Sequence, residues 1–260
     1  MDTMERTIQA IEAARIRNRF TRALSTYDNH ADAQHRISNK LAGLLPLYTG
    51  TRYKRLLEIG CGTGGFTHCL KSRCSIGQWV LNDLCDACGE PVSGLFAEQP
   101  PVFIAGDAEQ IAFSGSFDLI ASASAFQWMA EPEAFLRKLA GLLTPGGTLL
   151  FSTFSPGNLA EIKELTGKGL NYPSPEAFAQ WLSADFHILH MEEENIHLTF
   201  DTPLDVLRHL KATGVTATGG NIWTRGMQED FIRRYTELFS TDTNQVKLTY
   251  RPLYLLAVKK

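Results

Sequence analysis

The sequence predicts an α/β fold built on a mostly parallel sheet with helices on both faces. Two observations carry that expectation. From residue 54 onward, short apolar runs alternate with helical stretches, and each run ends in small or polar residues. A glycine cluster, Gly60-Cys61-Gly62-Thr63-Gly64-Gly65, separates the first run from the first helix that follows it. Strands covered on both faces read as continuous apolar stretches, and parallel neighbours need a crossover between them.

The first fifty residues read as helix. Ile16, Phe20, Ala23 and Tyr27 recur at helical spacing, as do Gln34, Ile37, Leu41 and Leu44, with Asp28 or Asn29 as a cap for the second helix. Leu56 to Ile59 is the first strand, and Phe66 to Lys71 opens a helix. Trp79-Val80-Leu81 ends at Asn82-Asp83, Val102-Phe103-Ile104 at Gly106-Asp107, and Phe117 to Ile120 at a Ser/Ala stretch. A helix from Pro132 to Leu142 stops at Thr144-Pro145-Gly146-Gly147, and Thr148 to Phe154 returns to strand. Beyond Pro156 the reading gives a helix over Ser174 to Leu182, a strand over Phe186 to Phe200 and helices over Pro203 to Thr213 and Met227 to Phe239. A last strand runs from Val246 to Val258, with Pro252 favouring an edge or a bulge. The two late strands flank the inserted helices and pair antiparallel at one sheet edge. The expectation is a single domain over residues 1–260: a helical extension (1–50), a core (54–154) and a closing part (155–260).

Composition removes several classes. With 260 residues, 44% hydrophobic and 20% charged, the chain has enough apolar content for a sizeable core. Lys and Arg number 25 against 28 Asp and Glu, a net charge of -3 that argues against a general nucleic-acid binder. The polar start Met1-Asp2-Thr3-Met4-Glu5-Arg6 precedes no apolar signal region, and no apolar run reaches the ~18 residues of a membrane span. Five cysteines, an odd number, read as reduced thiols in the cytoplasm.

The glycine cluster is the sharpest local signal. Its spacing is G-x-G-x-G, and Glu58 stands two residues before the first glycine. A dinucleotide fold needs room for a pyrophosphate at that helix end, and an acid beside the loop repels one. On Glu58, Gly60, Cys61, Gly62 and Gly64 the chain resembles the class I S-adenosylmethionine-dependent methyltransferases, whose loop cradles the methionine and ribose of the cofactor. The resemblance implies their Rossmann-like fold, a seven-stranded, mostly parallel sheet with an antiparallel last strand and here a helical lid insertion. It gives Asp83 the ribose hydroxyls, one carboxylate accepting from two vicinal donors, with Leu84 beside it. It puts Asp107 and Ala108 at the adenine, leaves Glu109 in solvent, and lines the methyl-transfer cleft with Ser122 to Trp128. Gln127 and Trp128 are equally open to reading as packing residues at a strand end.

Other constellations are weaker. Cys85-x-x-Cys88 has no second ligand pair to complete a zinc site, and His187 and His190 lie on opposite faces of a strand, so no metal site is expected. No G-x-S-x-G supports a serine hydrolase. Arg15, Arg19 and Arg22 share one helical face opposite Ile16, Phe20 and Ala23, either as a solvated face or as a docking surface for an acidic partner.

Outer segments narrow the resemblance. Phe20 to Gln34, Asp107 to Phe113, Ala125-Phe126-Gln127-Trp128, Leu207 to Val215 and Leu248 to Tyr254 are similar to the malonyl-acyl-carrier-protein O-methyltransferases of biotin synthesis. Cys85-Asp86-Ala87-Cys88 departs from that pattern, which there is Ser-rich. The resemblance implies methyl transfer from S-adenosylmethionine to the free carboxylate of malonyl-acyl carrier protein or malonyl-CoA. That partner gives Arg15, Arg19 and Arg22 something acidic to dock. A malonyl carboxylate, with a pKa near or below ~4, needs no base at neutral pH. It does need a cation, and Arg208, on a helix expected over the cleft, is the candidate, with Lys211 left at the surface. Tyr27 and Gln34 would close the cofactor pocket. Two other readings stay open: a methyltransferase of another small acid or a quinone precursor, and a non-catalytic S-adenosylmethionine binder or nicotinamide oxidoreductase.

Overall fold

The computed structural model describes residues 3–215 and 224–260, with side chains from residue 13 onward. Two helices lead, α1 (Thr3–His30) and α2 (Asp32–Tyr48). Ile37, Leu41 and Leu45 form the buried stripe that a 3.6-residue period requires of a helix lying on a sheet. The break between the helices falls at the fully buried Ala31, which makes no side-chain cap. Asp28 and Asn29, expected as caps, lie inside α1 instead; the Asp28 carboxylate accepts a hydrogen bond from Thr63 Oγ1 at 2.6 Å.

There follow β1 (Arg52–Ile59), α3 (Gly65–Lys71), β2 (Ser75–Asp83), the short α4 (Gly89–Ser93), β3 (Val102–Ala105), β4 (Phe117–Ser122), α5 (Pro132–Leu142) and β5 (Leu143–Phe154). These five strands are parallel in the order β3-β2-β1-β4-β5. The chain works outward from β1 to β3, then crosses back to build β4 and β5 on the other side. That reversal opens a crevice at the carboxyl ends of β1 and β4, where open α/β sheets bind ligands. Ile59 stands opposite Asn82, and Glu58 opposite both Leu81 and Ala121, so the loops after β1, β2 and β4 meet along one edge. Adjacent residues of β1 go to opposite faces. Leu56 joins Ile37 and Leu41 of α2, whereas Leu57 joins Phe135, Leu136 and Leu139 of α5. The apolar run is continuous because both faces are covered.

The remaining elements are α6 (Ala160–Thr166), α7 (Pro175–Leu182), β6 (Phe186–Glu193), β7 (Ile196–Phe200), α8 (Pro203–Ala212), α9 (Arg225–Phe239), β8 (Val246–Tyr250) and β9 (Pro252–Lys259). The antiparallel β9 lies between β5 and β6 and completes the seven-stranded order β3-β2-β1-β4-β5-β9-β6. Both late strands read in the sequence break in two, and their outer pieces, β7 and β8, pair as a separate antiparallel sheet. Pro252 is therefore not at an edge. It is the first residue of an interior strand, opposite Phe154, where no ladder N–H is yet required, and its carbonyl accepts from Glu194 N at 3.1 Å.

Candidate active site

The site begins where β1 runs into the glycine loop. Gly60 sits at φ +71°, and a Cβ placed on it would lie 2.5 Å from Ala125 Cβ in the loop after β4. Only glycine satisfies both the backbone angle and the approach. Gly60 N and Cys61 N both donate to Asn82 O, at 2.8 and 3.0 Å, which ties the loop to the end of β2. The Asn82 side chain donates in turn to Ile104 O at 2.8 Å and Gly106 O at 3.0 Å, extending the tie to β3.

Asp83 reaches back from the end of β2. Its Oδ2 accepts from Gly62 N and its Oδ1 from Cys85 N, both at 2.8 Å. Burial raises this carboxyl above its ordinary range, against the pull of those two amides. Asp107 Oδ1 accepts from Glu109 N at 2.9 Å, which sets the turn after β3. Glu109 does not point into solvent as expected. It accepts from Ala130 N and Glu131 N, at 2.9 and 2.8 Å, joining the turn after β3 to the start of α5. Lys138 on α5 completes the brace: its ammonium donates to Ala108 O, Glu109 O and Ile111 O at 2.8, 2.9 and 2.6 Å. No spacing in the sequence pointed to Lys138, since its role depends on α5 crossing a turn about thirty residues away.

Above these loops lies a cleft of about 810 Å³. Gly60, Gly62, Asp83, Leu84, Asp107 and Ala108 line one side, and Phe20, Leu24 and Tyr27 of α1 the other. Phe20 meets Trp128 edge-on, with ring centroids 5.8 Å apart. Gly214, just past α8, allows Phe20 its place, since a Cβ there would come within 3.2 Å of the ring. Burial, then the carboxylates of Asp28 and Asp83, hold the Tyr27 phenol protonated far above its usual range. Three buried polar atoms on cleft residues have no partner within the described protein: Ser124 Oγ, Gln127 Oε1 and Trp128 Nε1. Buried polar groups without partners carry a free-energy penalty that a bound ligand removes. With two carboxylates at strand ends for hydroxyls and an amine, this donor and acceptor set fits S-adenosylmethionine.

The sequence-predicted residues divide. Gly60, Gly62, Asp83, Leu84, Asp107, Ala108, Tyr27, Gln127 and Trp128 all line the cleft. Glu58, Cys61, Gly64 and Ser122, expected at the cofactor, are behind it. Glu58 is fully buried, accepts from Thr67 Oγ1 at 2.8 Å, and has its carboxyl pushed up to about 8 by burial. Cys61 is buried in the apolar cluster beneath α2, Gly64 turns toward Leu95, and Ser122 Oγ donates to Ile59 O at 2.8 Å. They shape the loops and do not face the cleft. Gln34 is also buried, beside Tyr250, and does not close the pocket. Arg208 corrects the largest expectation: its side chain is 73% exposed, pairs with Asp205 on its own helix, and is not part of the cleft wall. Periodicity gave the face of α8 it occupies but not what that face meets. Arg15, itself exposed, and the half-buried Arg19 line the cleft, whereas Arg22 is exposed and does not. Cys85 and Cys88 are buried free thiols, and among the described residues no cluster of His, Cys, Asp and Glu could hold a metal.

Residues 57–151 match the family model for a methyltransferase domain. A malonyl-acyl-carrier-protein O-methyltransferase from Porphyromonas gingivalis is 48% identical over 252 residues, covering 96% of this chain and 97% of the relative. One of the same name from Haemophilus ducreyi is 43% identical, covering 94% and 96%. Solved structures share the fold at low identity. The YcgJ protein from Bacillus subtilis superposes with a TM-score of 0.62 at 16% identity, over 85% of this chain and 98% of that one. An S-adenosylmethionine-dependent methyltransferase from Mesorhizobium loti gives 0.53 at 15%, over 84% and 95%. With a methyltransferase cleft in place and relatives this similar along nearly the whole chain, the protein belongs to the malonyl-acyl-carrier-protein O-methyltransferase family of class I methyltransferases.

Proposed function

We propose that this enzyme transfers the methyl group of S-adenosylmethionine to the free carboxylate of a malonyl thioester. The thioester is held on acyl carrier protein, or alternatively on coenzyme A, and the product is the malonyl methyl ester that primes pimeloyl synthesis for biotin. The observation that carries the reading is one cleft that joins the glycine loop, Asp83 and Asp107 to the unpartnered atoms Ser124 Oγ, Gln127 Oε1 and Trp128 Nε1.

S-adenosylmethionine supplies a methyl group made electrophilic by its sulfonium. Gly60 and Gly62 admit the methionine part close to the backbone, Asp83 takes the ribose hydroxyls, and Asp107 with the Ala108 N–H takes the adenine. Tyr27, Gln127 and Trp128 position the acceptor. The malonyl carboxylate is ionised near neutral pH, so these residues orient it and exclude water without removing a proton. Charge is lost in the transition state, which a dry wall of Phe20, Leu24 and Trp128 favours. Among the described residues the cleft is also lined by Arg15, Arg19 and Lys138, the last with its ammonium donating to three carbonyl oxygens of the turn after β3. Arg15 and Arg19 of α1, whose planar guanidinium forks match a carboxylate, are our candidates to meet the acidic substrate, and the exposed Arg22 to extend the encounter toward the acidic carrier. Five free cysteines support a cytoplasmic placement.

Mass spectrometry of acyl carrier protein species after incubation with S-adenosylmethionine tests the reading. Malonyl-carrier should gain one methylene mass, and acetyl- and butyryl-carrier should gain nothing. Modification of all three, or of none, rejects it.

A further inference from the structure

A second void adjoins the cleft and has no role in the reaction so far described. It is a groove of about 370 Å³ at the carboxyl end of β5, between residues 156–158, α6 and residues 170–172. Leu170 and Asn171 line both groove and cleft, so the two share a wall. We propose that this groove receives the pantetheine arm of the carrier-bound substrate; the inference rests on the carrier thioester proposed above.

Three features support it. The cleft is covered by α1, with Phe20 on Trp128 and Asp28 bonded to Thr63, so an acyl group tethered to a carrier at α1 needs a passage beside that cover. The groove is rigid in the way a preformed site must be. Asn158, 4% exposed, donates through Nδ2 to Tyr172 Oη and accepts through Oδ1 from Arg251 N, both at 2.9 Å, and the Arg251 guanidinium donates to Pro156 O at 3.0 Å. Finally, the arm is a single aliphatic chain carrying two secondary amides, which asks for a narrow passage with scattered polar groups. The exposed Asn171 amide and the Tyr172 hydroxyl lie along it, and Leu170 lies at the inner end. Lys163 and Glu164 share the rim, so their charges offset and recognition falls on the amides and not on the phosphate.

Ala160, exposed and on the groove but not on the cleft, provides the test. Ala160→Phe should lower the ratio of kcat/KM for malonyl-carrier over the malonyl thioester of N-acetylcysteamine about tenfold, without changing S-adenosylmethionine affinity in a calorimetric titration. An unchanged ratio in the folded variant overturns the groove. Should the variant not fold, free pantetheine decides with the native enzyme: competition against malonyl-carrier supports the arm site, and its absence overturns it. A native enzyme that methylates neither thioester rejects the proposed function itself. One that methylates both, with the ratio unmoved by Ala160→Phe, rejects only the groove.

Discussion

The two sides of the cleft are built by different means. On the cofactor side, functional groups are held by main-chain atoms of neighbouring strand ends: Asp83 by the amides of Gly62 and Cys85, Glu109 by those of Ala130 and Glu131, Lys138 by three carbonyls. On the substrate side, closure comes from side chains of separate helices meeting one another, as Phe20 meets Trp128, or from single bonds such as Thr63 to Asp28 and Thr26 Oγ1 to Ala212 O at 3.2 Å. A sheet edge presents donors and acceptors already in place, which suits a constant ligand. Helices that touch through side chains can part at small cost, which suits a cover that must open between turnovers.

That contrast is broken most severely at Gly60. Gly60→Val combines a β-branched residue at positive φ with overlap on Ala125, and should destabilise the protein on the order of 4 kcal/mol, seen in urea unfolding. A near-native midpoint would mean the loops after β1 and β4 move apart freely. Next in size, Asp83→Ala should weaken S-adenosylmethionine on the order of 1.5–3 kcal/mol by calorimetry, while Tyr27→Phe leaves that affinity nearly intact.

Glu58 offers a test of opposite sign. Its folded carboxyl titrates at about 8, above the ordinary value of 4.5, so the native state keeps a proton that the unfolded chain releases. Stability therefore falls as pH rises through that interval and levels off above it. Glu58→Gln keeps an acceptor for Thr67, removes the slope, and should gain on the order of 1–2 kcal/mol near pH 7. Parallel stability curves for the two proteins between pH 5 and 8 would show that Glu58 is ionised in the fold. The smallest effect should come from Arg208→Ala, whose kcat/KM for malonyl-carrier stays within about twofold of native, against about tenfold loss for the Arg15→Glu, Arg19→Glu pair at low salt. A large loss at Arg208 would return it to the substrate.

These tests also mark what could be read before folding. Gly60, Asp83 and Asp107 were legible because the chemistry demands particular residue types just past apolar strands, and such positions show in one dimension. Arg208 was misplaced for the converse reason: a helical period defines a face, but which neighbour that face meets is a tertiary fact. Glu109 and Lys138 acquire their roles from the start and middle of α5 lying over the turn after β3, a contact no local pattern encodes. The seven residues of α6 are too few for a period to emerge, yet Glu161 on it anchors Thr249 Oγ1 at 2.6 Å and so fixes one wall of the groove.

The helix α1 has a kinetic consequence. At 28 residues it is a rod of about 42 Å. Its middle rests on Trp128 through Phe20, and its last turns hold Thr63 through Asp28. A rod pinned at two points along its length cannot lift from one without loosening the other. Opening of the cleft along α1 therefore breaks the Phe20–Trp128 and Asp28–Thr63 contacts together. Quenched-flow methylation tests whether that opening limits turnover: a rapid first round followed by slower cycles is expected if it does, and a linear time course from the first turnover argues against it.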